Sequence, residues 1–356
     1  MDTANYNSQV RRLRILAEAA LTHYDIGGTR LMLLSPGEHS VFRIASYVRP
    51  GMHAGNAAAG SGDGRFALHL FRKEGFDRVL WNSELQWLTA LKRDTDLLVP
   101  EPIAARDGAL MPEVRIEDVE EECVCLLFSW MPGRSVDSGL SPTLFERVGT
   151  FLARLHQHSR QFVPSEDFVR PRWDWQQVFE DETVLDPDFA TTRCEGLITG
   201  REYRIFSEVA ERAREEFSTI PAGPDSYGLI HGNLRQDCYL FHKGEVCAID
   251  FHKCCWSYYL VDLSITLDGV AGRQDEDLLR HAFLRGYERV RPLPEQHERW
   301  LRLFEAVRLI EHLNFIFRSD DPTLRATAPT QLAFVLDWLQ HFVHISSGRH
   351  SFSTRL

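Results

Sequence analysis

Cysteine is sparse and unpatterned in this chain: seven in 356 residues, at positions 123, 125, 194, 238, 247, 254 and 255. No Cys-x-x-Cys pair occurs, which argues against a zinc ribbon or a thioredoxin-like motif. An odd number of thiols in a long chain reads as reduced core residues. Basic charge is also short, with 40 Lys and Arg against 51 Asp and Glu, a net charge of -11. So acidic a body offers no overall field for nucleic acid or anionic lipid. Long apolar runs are missing too; the longest, residues 123–131, has the length of a strand, so no membrane span is expected. No Gly-x-Ser-x-Gly elbow surrounds Ser129, and neither an internal repeat nor a coiled-coil heptad is visible. The polar, acidic start Met1-Asp2-Thr3-Ala4-Asn5 does not read as a signal peptide, and a cytoplasmic location is expected.

What is present changes texture along the chain. A helical pattern covers residues 8–23, followed by short apolar runs at 40–45 and 66–71 that read as strands. Between them, residues 50–64 are rich in glycine and alanine with almost nothing to bury, the composition of a flexible loop. Residues 82–91 place Leu and Trp at helical spacing. Two strands are expected near Ile103 and Val114, and a buried one over 124–131 ends at the turn signal Pro132-Gly133. The expected N-terminal sheet therefore has five strands and one packed helix, in a domain of residues 1–132. Residues 133–356 are mostly helical, with helices over 144–158 and 202–217 and others starting near 263, 275, 301 and 331. Within them lies a β island, residues 228–251, with a hairpin turn at Lys243-Gly244. The fold class is α+β: a small antiparallel sheet lobe, then a larger helical lobe.

The island holds the densest set of chemical groups. His231 and Asn233 follow one strand and Asp250 ends another, and the hairpin between them is expected to bring these ends side by side. A carboxylate closing the apolar run Ile249-Asp250-Phe251 needs compensation by positive charge or by capping; a metal ion on nucleotide phosphates is one such compensation.

The residues His231-Gly232-Asn233-Leu234-Arg235-Gln236-Asp237-Cys238, followed by Ile249-Asp250-Phe251, resemble the catalytic loop and metal strand of the aminoglycoside phosphotransferase family. These are protein-kinase-like small-molecule kinases, with choline kinase-like and homoserine kinase-like branches and the pattern His-Gly-Asp-x-x-x-x-Asn. The likeness extends along the chain. Glu38-His39-Ser40-Val41-Phe42-Arg43-Ile44 resembles the hairpin over the nucleotide, Leu68-His69-Leu70 the phosphate-pairing strand, and Glu84 the helix glutamate. Phe128-Ser129-Trp130-Met131-Pro132-Gly133-Arg134 is similar to the inter-lobe hinge, while Leu152–His156 and Leu260–Leu263 match framework segments. The resemblance implies a protein-kinase-like two-lobe fold. It also implies use of ATP and Mg2+ and transfer of the γ-phosphate to a hydroxyl of a small molecule. Nucleotide contacts would come from His69, Glu84, Phe128, Trp130 and Met131, and metal contacts from Asp250 and the slot at Cys238. His231 would organise the loop, and Asn233 would position the acceptor.

The departures fall on the chemistry. Asn233 stands where the family has the catalytic Asp, and an amide orients a hydroxyl but is no base at neutral pH. Cys238 replaces the second metal ligand, and a thiol is a poor magnesium donor. His69 replaces the phosphate-pairing cation and is mostly neutral at pH 7. His252 stands where a second acid is common. Two readings follow: an impaired phosphotransferase, or an inactive pseudokinase that binds a nucleotide, a metabolite or a partner protein. His156 and His158 invite a metal reading, but His156 reads more readily as a structural hydrogen-bond donor. Trp256, Tyr258 and Tyr259 fit either an acceptor pocket or core packing. Asp167, Asp174, Glu180 and Asp181 hint at a cationic ligand or form a solvated face.

Overall fold

The computed structural model describes residues 3–346 apart from 28, 37–38, 47–63, 117–118, 137–138, 175–177, 180–181 and 195. Most of the expected loop 50–64, together with Glu38, Glu180 and Asp181, lies outside the described residues. The chain divides into two compact units. One comprises Met1–Val136, Phe162–Val169 and Cys238–His252; the other comprises Asp137–Gln161, Arg170–Asp237 and Lys253–Leu356.

The first unit is an antiparallel sheet in the order β1 (Thr29–Ser35), β2 (His39–Ser46), β3 (Arg65–Arg72), β6 (Val119–Ser129), β4 (Pro102–Ile103). A further strand, β5 (Glu113–Ile116), also pairs with β6. The sheet thus has six strands, not the five expected. The extra strand is β1, at the sheet edge, where Met32 and Leu34 of its apolar run Leu31–Leu34 are exposed. Two helices belong to this unit, not one. In α1 (Thr3–Leu21) the face Leu13, Leu16, Ala17 and Ala20 is buried with Phe42, Ile44, Leu68 and Leu127 of the sheet. The second, α2 (Arg78–Asp94), starts where the Asp77 carboxylate accepts the Val79 and Leu80 N–H groups, and it ends on Lys92 and Arg93.

The hairpin β8 (Tyr239–His242) and β9 (Glu245–Ala248) closes at Lys243-Gly244, both at positive φ, as a tight hairpin requires. It groups with the sheet unit, because Leu98 bridges to Cys247 and Arg134 pairs with Phe241. Residues 228–251 therefore divide between the units after Asp237.

The second unit is helical, and includes α4 (Pro187–Thr192) and α5 (Gly200–Thr219). Its helix α3 (Pro142–Gln161) packs on α7 (Glu276–Glu288) at very short range. A Cβ on Gly149 would lie 2.0 Å from the Phe283 carbonyl oxygen, and one on Gly286 1.9 Å from that of Glu146. Only glycine permits this approach. The short strand β7 (Tyr227–Ile230) pairs with β10 (Cys255–Tyr258), and α6 (Tyr259–Asp268) and α8 (His297–Arg318) follow. The strand before His231 and the hairpin belong to separate sheets: β7 pairs with β10, and β8 with β9. Among the described residues, no helix is long and apolar enough to cross a membrane.

Candidate functional site

In the helical unit the site is built around Asp262 on the first turns of α6. Its Oδ2 accepts the His231 backbone N–H at 2.7 Å, and its Oδ1 accepts that of Gly232 at 2.8 Å. His156, from α3, reaches the same carboxylate through Nε2 at 3.1 Å and meets the Tyr287 hydroxyl through Nδ1 at 2.9 Å. All four side chains are buried. Burial pushes the His156 pKa down against the pull of Asp262, so a neutral ring donating from Nε2 and accepting at Nδ1 satisfies both bonds. His156 is thus a structural linker, and His158 is buried beside it on the same helix. Among the described residues no group of three or more His, Cys, Asp or Glu side chains is arranged to hold a metal ion.

His231 is fully buried, and its Nδ1 accepts the Asn233 N–H at 3.2 Å, which places any ring proton on Nε2. Gly232, at φ 74, lies against Lys253: a Cβ there would sit 2.3 Å from the Lys253 carbonyl oxygen. The Thr266 hydroxyl donates to the Leu234 carbonyl at 2.9 Å. The loop is therefore fixed on both sides, with Asn233 half-buried on it. Asp262, which the sequence offered only as a framework residue, is the acceptor that organises this loop.

In the sheet unit, His69 occupies the middle of β3, opposite Val41 of β2 and Leu126 of β6. Its Nδ1 is hydrogen-bonded to His39 Nε2 at 2.9 Å. His39 stacks on Phe71 at 4.2 Å between ring centroids, and Phe128 meets His69 edge-on at 5.1 Å. Burial among these rings comes first, with His39 opposing charge on His69 and His252 opposing charge on His39, and it pushes His69 down to about 3 and His39 down to about 4. A neutral, hydrogen-bonded imidazole pair thus stands where the family resemblance calls for a cation. His39 was not singled out by sequence reasoning; only its alternation with Val41 on β2, facing β3, carried a signal.

Glu84 is buried on the core face of α2 beside Ser83, Leu85 and Trp87. Trp87 packs edge-to-face on Phe251 at 5.6 Å, which ties this helix to the segment after Asp250. Phe128 is buried on β6 opposite Ala67 and Pro102, while Trp130 donates its N–H to the Arg65 carbonyl and lies under the Arg43 guanidinium. Met131 follows, half-buried. Asp250 leaves the hairpin at φ 70, the left-handed region that a non-glycine residue rarely adopts. Its Oδ1 is hydrogen-bonded to His252 Nδ1, and its Oδ2 accepts from the Cys238 thiol at 3.7 Å. Both carboxylate oxygens are thus engaged by the residues that replace harder donors.

This donor set does not fit magnesium. One carboxylate is joined by a thiol and an imidazole, whereas Mg2+ requires hard oxygen ligands in octahedral array. A neutral imidazole pair supplies no fixed charge to triphosphate oxygens either. Of the remaining candidates, Asp167 is held by Ser165, Asn82 and Gln86, which leaves it a structural capping role. Tyr259 is buried on His156 at 4.6 Å between rings and belongs to the packing.

An antiparallel sheet unit with a packed glutamate helix and an Ile-Asp-Phe hairpin, and a helical unit bearing a His-Gly loop, define a protein-kinase-like fold. The model of the phosphotransferase enzyme family (APH) matches residues 48–304, and the chain belongs to that family. Among curated proteins it is 27% identical to a homoserine kinase of Neisseria meningitidis over 245 residues, 66% of this chain and 70% of that one. It is 25% identical to an amicoumacin kinase of Bacillus subtilis over 141 residues, 39% of this chain and 38% of that one. Against an uncharacterized Synechocystis protein the match spans 58% of the relative's length. Two solved structures share the fold over 94% of this chain. A microcompartment-associated aminopropanol kinase is similar with a TM-score of 0.71, 23% identity and 99% of its own length covered. An amicoumacin kinase in complex with AMP-PNP, Ca2+ and Ami is similar with a TM-score of 0.69, 17% identity and 96% covered.

Proposed function

We propose that this chain is a small-molecule-binding member of the phosphotransferase family in which ATP- and Mg2+-dependent transfer to a hydroxyl is lost. The observation that carries the reading is the engagement of Asp250 by the Cys238 thiol and the His252 imidazole. The one hard ligand retained from the family pattern is committed to soft or borderline partners. The His39–His69 pair supports it, because phosphoryl transfer depends chiefly on charge neutralisation and positioning. Asn233 takes the motif slot of the family's catalytic Asp, and an amide there can orient an acceptor hydroxyl without taking its proton.

A second reading, a slow but working kinase, is favoured by one observation. The loop scaffold of His231, Asp262, His156 and Tyr287 is complete, so Asn233 is presented as rigidly as a catalytic residue needs. The two readings part in one experiment: ADP release from Mg-ATP by the wild type and by Asn233→Asp. The lost-transfer reading expects no ADP release above that of Asp250→Ala in either protein. A slow kinase would instead gain rate when the carboxylate is restored.

A further inference from the structure

On the sheet, His39 sits opposite Phe71 and His69 opposite Val41, so the two histidines are diagonal neighbours across β2 and β3. The alternate residues Phe42, Ile44, Leu68 and Leu70 enter the core with α1, which leaves His39 and His69 on the other face of the sheet. His39 is exposed and His69 half-buried. Aromatic rings set both imidazoles. His39 stacks on Phe71 with 14° between the planes and meets Trp81 edge-on at 6.3 Å, while Phe128 closes on His69 at 5.1 Å.

His39 Nε2 and His69 Nδ1 are 2.9 Å apart. An imidazole nitrogen binds Zn2+ at about 2.0–2.1 Å, so two of them on one ion at near right angles stand about 2.9 Å apart. The spacing therefore suits an N–H···N bond or the bite of a single ion, and the surroundings separate the two. A structural imidazole has its tautomer fixed by partners on both nitrogens, as Asp262 and Tyr287 fix His156. Among the described residues neither His39 Nδ1 nor His69 Nε2 has a hydrogen-bond partner, so nothing holds a proton between the rings. With both protons on these outer nitrogens, two lone pairs face each other. Burial and the neighbouring imidazoles keep both rings neutral at pH 7, while the Asp250 carboxylate favours positive charge at either ring. An ion held by the lone pairs satisfies both conditions, since it brings charge without protonating the rings.

We propose that His39 Nε2 and His69 Nδ1 together bind one borderline transition-metal ion, of the class of Zn2+, on the sheet face turned away from α1. Imidazole is a donor for such ions and a poor one for Mg2+. Among the described residues no third protein donor is arranged with the pair, so the remaining positions go to water or to donor atoms of a bound small molecule. This site is separate from the Asp250 carboxylate and stands whether or not phosphoryl transfer is lost.

The test is calorimetric titration of the folded full chain with ZnCl2 in a non-coordinating buffer at pH 7, with MgCl2 as the control. The chain should take up about one equivalent of Zn2+ and no Mg2+. His39→Gln and His69→Gln should each weaken that binding about tenfold or more. Because His39 is exposed, His39→Gln should melt as the wild type does without metal, which keeps the result readable if His69→Gln folds poorly. Cys238→Ser removes the competing thiol donor beside Asp250 and should leave Zn2+ binding unchanged. Absence of Zn2+ binding, undiminished binding in His39→Gln, or loss of binding in Cys238→Ser overturns the proposal. ADP release from Mg-ATP would refute the lost-transfer reading while leaving this result standing.

Discussion

The two units differ in what their candidate residues have kept. Around Asp262 the partners are in place: two backbone N–H groups and His156 converge on one buried carboxylate, and Tyr287 backs the imidazole. Around Asp250 the position is kept but the company is changed, with a thiol and an imidazole on the carboxylate and a neutral imidazole pair on β3. The first set holds the chain's shape, and its loss would leave buried polar groups unpaired. The second set fills the positions that the family resemblance assigns to metal and phosphate, where replacement leaves the fold intact. Architecture and activity are thus separable in this fold, as they are for folds generally.

The sharpest way to break the comparison is to damage the intact half. Asp262→Ala strips the acceptor from two backbone donors and from His156. It should lower unfolding stability in urea by about 3 kcal/mol or prevent folding. Gly232→Ala acts on the same loop through positive φ and the approach to Lys253, and should cost about 2 kcal/mol in the same titration. By contrast, Asp250→Asn eases a strained φ and weakens only partly exposed bonds, so the unfolding free energy should change by less than about 1 kcal/mol.

A smaller effect separates the halves by pH. His39 and His69 bind protons less readily in the fold, at about 4 and about 3, than the ordinary 6.5 of the unfolded chain. Unfolding therefore takes up protons across this window, and the stability the pair contributes is complete above pH 6.5 and declines as pH falls toward 4. The double variant His39→Gln, His69→Gln should show a shallower fall in Tm between pH 6.5 and 4. An equally steep fall would place the acid sensitivity elsewhere.

Much of this was legible in the residues. The hairpin turn at Lys243-Gly244, the β3 position of His69, the buried run of β6 and the amphipathic α3 all follow from local pattern, because each expresses periodicity or turn chemistry over a few residues. The substitutions at 69, 233 and 238 were legible once the family motif was in view. What escaped depends on distant pairing. Strand β1 is an edge strand with half its apolar residues in water, and β7 chooses β10 over the nearer hairpin. Asp262 reads as one more acid in a helix until the His231 and Gly232 N–H groups arrive from thirty residues away. The engagement of Asp250 by Cys238 and His252 follows from the turn at φ 70, which no local composition specifies.

The central claim, that the Asp250 side of the site has lost its phosphoryl-transfer chemistry, is tested most directly by one titration. The wild type and Asp250→Ala are melted with ATP, with and without Mg2+, while ADP is measured in the same samples. The account predicts that Mg2+ adds no stabilisation beyond ATP alone and that both proteins release ADP equally, at background. A Mg2+-dependent rise in Tm with ADP release, both abolished by Asp250→Ala, would contradict it.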